Sequence, residues 1–225
     1  MGIDFSKSNE WTGEKSYGKH LHGTDYKNPY LHTLEILEPI ISKFDDDNFI
    51  PAFRFGCMQS KNLSVLPLLA PQQMDPHFAG FEALKQGYLQ ALTQVKMSGP
   101  TTFAPLILQA IEIEKAHGGH QLLHLIIITD GNVSNVQNDK LAIVAASQFP
   151  ISITAIGVGD GPFDKMVEFD DMQGSGRLFD NFQFVDFTKF EGEYSKSENA
   201  DELLAALVFN ELPEQYSAME KLGYL

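Results

Sequence analysis

Asp4, Ser6 and Ser8 stand at alternate positions in the segment Asp4-Phe-Ser-Lys-Ser8. In a chain still extended as it leaves a strand, alternate side chains point the same way, which would put one carboxylate and two hydroxyls together. A second carboxylate, Asp130, follows the apolar run Leu125 to Ile128 at its carboxyl end, and the Asp-Gly step there lets the chain turn while the side chain stays at the sheet edge. Oxygen donors without His or Cys suit a hard cation, Mg²⁺, Mn²⁺ or Ca²⁺, and hydroxyls favour a small ion that keeps water in its shell. The chemistry expected is therefore cation binding.

The elements that must position these residues alternate between strand and helix. Phe49 to Gly56, His124 to Thr129 and Ile151 to Val158 are β-branched or aromatic runs closed by Gly or Asp-Gly, and read as buried strands. Asn28-Pro29 supplies a cap and a first-turn proline for a helix reaching Phe44. Further helices are expected over about Phe81 to Val95, from Phe103-Ala-Pro105 to His117 before two glycines, after Asn138, and from Ala200 to about Leu212. Pro213 should stop the last of these, leaving a polar trailing segment. Such alternation predicts an α/β fold, doubly wound around a mostly parallel sheet with helices on both faces. Ligands then bind outside the carboxyl ends of strands where strand order reverses, which is where Asp4 and Asp130 fall.

These residues carry a resemblance. Asp4-x-Ser6-x-Ser8, Thr101 within Ser98-Gly-Pro-Thr-Thr-Phe-Ala-Pro105, and Ile127-Ile-Thr-Asp-Gly131 resemble the metal-ion-dependent adhesion site of von Willebrand factor A (vWA) domains. Gly2 to Gly13 with its Ser-Asn-Glu-Trp-Thr-Gly, Asn28-Pro-Tyr30, Phe44-Asp-Asp-Asp47, Ile50-Pro-Ala-Phe53, Val144-Ala-Ala-Ser147, Gly157 to Pro162 and Phe179 to Val185 look like the copine type, nearest to that of plant RING ubiquitin ligases. The resemblance spans nearly the whole chain and implies that residues 1–225 form one copine-type vWA domain of a longer parent. It further implies that Asp4, Ser6, Ser8, Thr101 and Asp130 hold the ion, with a position open to a partner's Asp or Glu. Position after Gly-Pro favours Thr101 over Thr102. Lys7, Asn9, Thr102, Asn132 and Asp160 are candidate outer-shell or partner-contact residues. Only Met1-Gly2-Ile3 precede Asp4, which is short for a central strand.

Composition narrows the function classes. Sixteen Lys+Arg against thirty Asp+Glu give a formal charge of -14, which repels phosphate backbones and anionic lipid. Nucleic-acid binding is not expected; a protein carboxylate could be attracted only where a divalent cation reverses the local potential. No run approaches the ~20 apolar residues of a membrane span. Membrane recruitment would come only through other domains. The single cysteine, Cys57, fits a reducing, cytoplasmic compartment. Met1-Gly2 with Ser6 fits the myristoylation pattern, but Asp4 is needed elsewhere.

Blander readings compete at several positions. Asp45-Asp46-Asp47 reads as a solvated helix end, since three successive residues cannot face one ion. His20 and His22, or His117, His120 and His124, have zinc-like spacings but no cysteines or apolar frame. Gly157-Val-Gly-Asp-Gly161 lacks the order of a dinucleotide loop. Trp11, Lys7 and Phe5 flank the metal loop, as partner contacts or as packing. Three functions stand against one another: a cation-dependent protein-binding module without catalysis, the substrate-recruiting part of a RING-type ubiquitin ligase, and a Mg²⁺-dependent phosphoryl-transfer enzyme. In the last, Ser6 stands where Asp-x-Asp phosphatases need their second Asp.

Overall fold

The structure is a computed structural model that describes every residue except Asp46, Gln173, Ser175 and Ser195. The strands are β1 Gly2–Asp4, β2 Phe49–Pro51, β3 Phe53–Phe55, β4 Leu66–Pro67, β5 His77–Ala79, β6 Leu123–Thr129, β7 Ile151–Gly157 and β8 Phe182–Asp186. The helices are α1 Pro29–Ile41, α2 Gly80–Gln94, α3 Ala104–His117, α4 Val136–Ala146, α5 Asp164–Asp170, α6 Phe187–Tyr194, α7 Ala200–Val208 and α8 Leu212–Leu222.

Six strands form the main sheet in the order β4-β3-β1-β6-β7-β8, all parallel except β4. The register pairs Gly2 with Phe53 on one side and with Ile127 on the other, so the three-residue β1 is central. From β1 the chain winds outward to β3; from β6 it winds the other way through β7 to β8. The order therefore reverses between β1 and β6. Alternation along the strands divides the core. Ile126, Ile128 and Ile156 pack with α1, α2 and α7, whereas Leu125, Ile127, Ile153 and Ala155 pack with α3, α4 and Phe169 of α5.

Several expected boundaries need correction. The run Phe49 to Gly56 is not one strand: β2 pairs antiparallel with β5 in a separate two-stranded sheet, and only Phe53–Phe55 joins the main sheet. Pro51 lacks the N–H that an uninterrupted ladder requires, so the run breaks there. Helix α1 ends at Ile41 rather than Phe44. Helix α4 begins at Val136, ahead of Asn138, because Asn135 is the cap and accepts from Asn138 N–H at 3.2 Å. Beyond α7 the polar trailing segment is itself helical. Pro213 lies in the first turn of α8, where its missing N–H costs nothing. Of the acidic run, Asp47 is exposed and accepts from Phe49 N–H at 2.9 Å, while Asp46 lies outside the described residues.

Candidate metal centre

Asp4 is the last residue of β1, and Asp130 directly follows β6. Both are buried at 1% exposure or less, and neither makes an ion pair among the described residues. The Asp4 carboxylate accepts from Ser6 N–H at 2.7 Å and from Thr129 Oγ1 at 2.7 Å. Asp130 accepts from Asn132 N–H at 3.0 Å and from the hydroxyls of Thr12, at 3.1 Å, and Ser8.

Ser6 is extended, with φ -70° and ψ 153°, but Lys7–Glu10 form a 3₁₀ turn, so Ser8 is not in an extended chain. The alternation argument is thus corrected in its geometry. The turn folds Ser8 back until its Oγ stands 3.0 Å from Ser6 Oγ. Asn9 keeps this arrangement in place: its Nδ2 donates to Ser6 O at 3.0 Å and Ser6 Oγ at 3.2 Å, and Tyr30 OH donates to its Oδ1 at 2.7 Å.

The two threonines have separate roles. Thr102 Oγ1 donates to the buried carboxylate of Asp139, which also accepts from Phe103 N–H at 2.7 Å and Ala104 N–H at 2.8 Å at the start of α3. Thr101 is 3% exposed, and its Oγ1 has no hydrogen-bond partner among the described residues. Its carbonyl accepts from Ser134 N–H and Oγ at 2.8 and 2.7 Å, which anchors this loop to the one after Asp130. Gly56, at φ +70°, sets how closely the loops approach. A Cβ there would stand 2.6 Å from Thr101 Oγ1 and 3.0 Å from Asp4 Oδ1.

Burial raises the pKa of Asp4, with the charge of Asp130 adding to it, while bonds from Thr129 and Ser6 pull it down. Burial also raises Asp130, against the hydrogen bonds from Ser8, Asn132 and Thr12. Two neighbouring buried carboxylates without a fixed positive side chain favour a shared proton or a bound cation. Three hydroxyls, two carboxylates and one unpartnered hydroxyl oxygen among them fit a small hard cation, as does the close approach that Gly56 permits. Among the described residues no group of three or more His, Cys, Asp or Glu is placed to hold a metal ion.

The remaining candidates lie around this centre. Lys7 is exposed, and Asn132 meets Asp130 through its backbone. Asp160 instead fastens the loop beyond Trp11, accepting from Lys15 N–H at 2.9 Å and Ser16 N–H at 2.8 Å. Phe5 is buried and stacks on His22 at 4.8 Å, so it packs the loop down; Trp11 is 50% exposed. His22 is held by Tyr88 OH and Asp4 O at 2.8 Å each, and burial depresses its pKa to about 3. Thr12, Gly56, Thr129 and Asp139 were missed by sequence reasoning. Thr12 and Thr129 had a signal in lying within the quoted motifs Ser-Asn-Glu-Trp-Thr-Gly and Ile127-Ile-Thr-Asp-Gly131; Asp139, far from Thr101 along the chain, had none.

A doubly wound, mostly parallel sheet with carboxylates and hydroxyls gathered at its switch point defines a vWA-like α/β protein. The copine family model matches residues 19–225, and the chain belongs to the copine family. It is 40% identical over its full length to Copine family protein 2 of Caenorhabditis elegans and 39% identical to the E3 ubiquitin-protein ligase RGLG5 of Arabidopsis thaliana. It spans 3% of the first and 54% of the second. Among solved structures, proximal thread matrix protein 1 from the mussel byssus is similar in fold, with a TM-score of 0.51 at 14% identity over 92% of this chain and 46% of that one. A von Willebrand factor type A protein from Catenulispora acidiphila matches with a TM-score of 0.44 at 13% identity, over 92% of this chain and 41% of that one.

Proposed function

We propose that this chain is a divalent-cation-dependent protein-binding module, in which Asp4, Ser6, Ser8, Thr101 and Asp130 hold Mg²⁺, with Mn²⁺ or Ca²⁺ as alternatives. The observation that carries this is the buried hydroxyl of Thr101, without a hydrogen-bond partner among the described residues, beside two buried carboxylates that no cationic side chain among those residues neutralises. A bound cation supplies an electrophilic position that accepts a partner's Asp or Glu. Asp130 is oriented by Thr12, Ser8 and Asn132, and Asp4 by Thr129 and Ser6 N–H, so both carboxylates are held before any ligand arrives. The test is calorimetric titration of Mg²⁺ and Mn²⁺ into wild type and Asp130→Ala. Uptake at one site, weakened at least about tenfold by the substitution, is expected; equal uptake by both proteins refutes the assignment.

A second reading places this module in a ubiquitin ligase, as the part that recruits substrate. It is favoured by the relatives of that name, of which the chain spans about half. In this reading the 225 residues act as one domain of a longer protein, and catalysis belongs to another part of it. No helix among the described residues is long and apolar enough to cross a membrane, so recruitment to one would fall to other domains.

A further inference from the structure

A groove of about 530 Å³ runs beside the candidate metal centre, between the loop Trp11 to Lys15, the turn after Asp130 and the exit of β7. It adjoins the centre through Thr12, whose hydroxyl donates to Asp130, and through Gly131. One wall is Trp11, the chain's only tryptophan, half of it exposed. An indole left open in a groove is an unfilled platform for a cation or an apolar side chain.

The charges around the platform select between these. Glu14 and Asp164 line the groove, are exposed and make no ion pair among the described residues. Asp160 adds a third carboxylate. Against them stand Lys15 and Lys165, and Lys165 is engaged by Glu168 at 3.2 Å. The groove is therefore net acidic beside a centre suited to a carboxylate ligand. A purely acidic partner would meet repulsion one step from the metal; a partner bearing both signs would not.

We propose that the groove takes an arginine or lysine of the partner, laid over Trp11 and paired with Glu14 and Asp164, close to the acidic residue that seeks the metal. This rests on the cation-dependent reading above and names the partner's chemistry: a segment with neighbouring acidic and basic residues. Arginine fits best, since its planar group stacks on indole while donating to carboxylates.

The test uses capped peptides holding one Asp and one Arg separated by zero to three alanines, with controls replacing Arg by citrulline or Asp by Asn. Binding is read in Mg²⁺ and Mn²⁺ by Trp11 fluorescence and by calorimetry. At least one spacing should bind about fivefold or more tightly than its citrulline control. In the Trp11→Ala/Glu14→Gln/Asp164→Asn variant, followed by calorimetry, that advantage should vanish while Mg²⁺ uptake is unchanged. If Arg and citrulline peptides bind alike, or no peptide binds a protein that takes up metal normally, the groove proposal is overturned and the metal assignment stands. If wild type takes up no metal, both fall.

Discussion

Thr101 and Thr102 are adjacent, identical and both buried, yet substitutions at them should act in opposite directions. Thr101→Val removes a hydroxyl without a partner and keeps the backbone anchor to Ser134, so metal-free stability should rise by about 1 kcal/mol while Mg²⁺ affinity falls. Thr102→Val takes a donor from the Asp139 carboxylate and should cost about 1–3 kcal/mol. Urea unfolding in chelator, paired with metal titration, reads both; a destabilised Thr101→Val would count against its hydroxyl being held ready for a ligand. Gly56→Ala places a methyl against Thr101 Oγ1 and forces a left-handed conformation on an L-residue, so a loss of about 1–2 kcal/mol together with weaker metal uptake is expected. Sequence alone separated the threonines only by the position of Thr101 directly after Gly-Pro. Their difference lies in Asp139, which no local spacing connects to them. Asp4, Ser6, Ser8 and Asp130 were legible because their donors sit at strand ends beside glycine or serine turns.

Among the elements, β6 and β7 were readable because strands buried on both faces are mostly apolar and β-branched, and Ile126 to Ile128 serve the two cores in turn. β1 was expected only as a short strand leading to Asp4, since three residues carry no periodicity and its neighbours define it. α8 was missed because Pro213 reads as a stop until its position in a first turn is known. The start of α3 gives an element-scale test. Its Phe103 and Ala104 N–H groups are capped from α4 by Asp139, not by a residue of its own. Asp139→Ala should destabilise the protein by about 1–3 kcal/mol and speed amide exchange at Phe103 and Ala104, whereas Asp139→Asn, which keeps an acceptor, should lose much less. Equal losses in the two variants would assign the effect to the charge instead of the cap.

Over the whole molecule, the net charge of -14 is spread across a surface with few cations, and acid sensitivity should come from particular buried or half-buried groups. His124 on β6 bonds Thr154 Oγ1 at 2.9 Å and meets Phe209 edge-on at 5.3 Å. Burial lowers its pKa from 6.5 to about 4. The unfolded chain therefore binds the extra proton first. This group's contribution to stability is complete above pH 6.5 and is lost as pH falls toward 4, amounting to ~2 kcal/mol at pH 5. Urea midpoints at pH 7.5 and 5 should show a larger acid loss in wild type than in His124→Gln; equal losses would exclude His124 as the source.

The two carboxylates at the centre belong to adjacent strands, one of them only three residues long and flanked on both sides. An ion gripping both would act as a rivet through the middle of the sheet, fastening a three-residue strand to one of the two longest. Occupancy and mechanical integrity would then rise together, each tenfold excess of free ion over its dissociation constant adding about 1.4 kcal/mol against unfolding. Withdrawing the ion would slacken β1 first, and amide exchange at Ile3 would be the earliest sign.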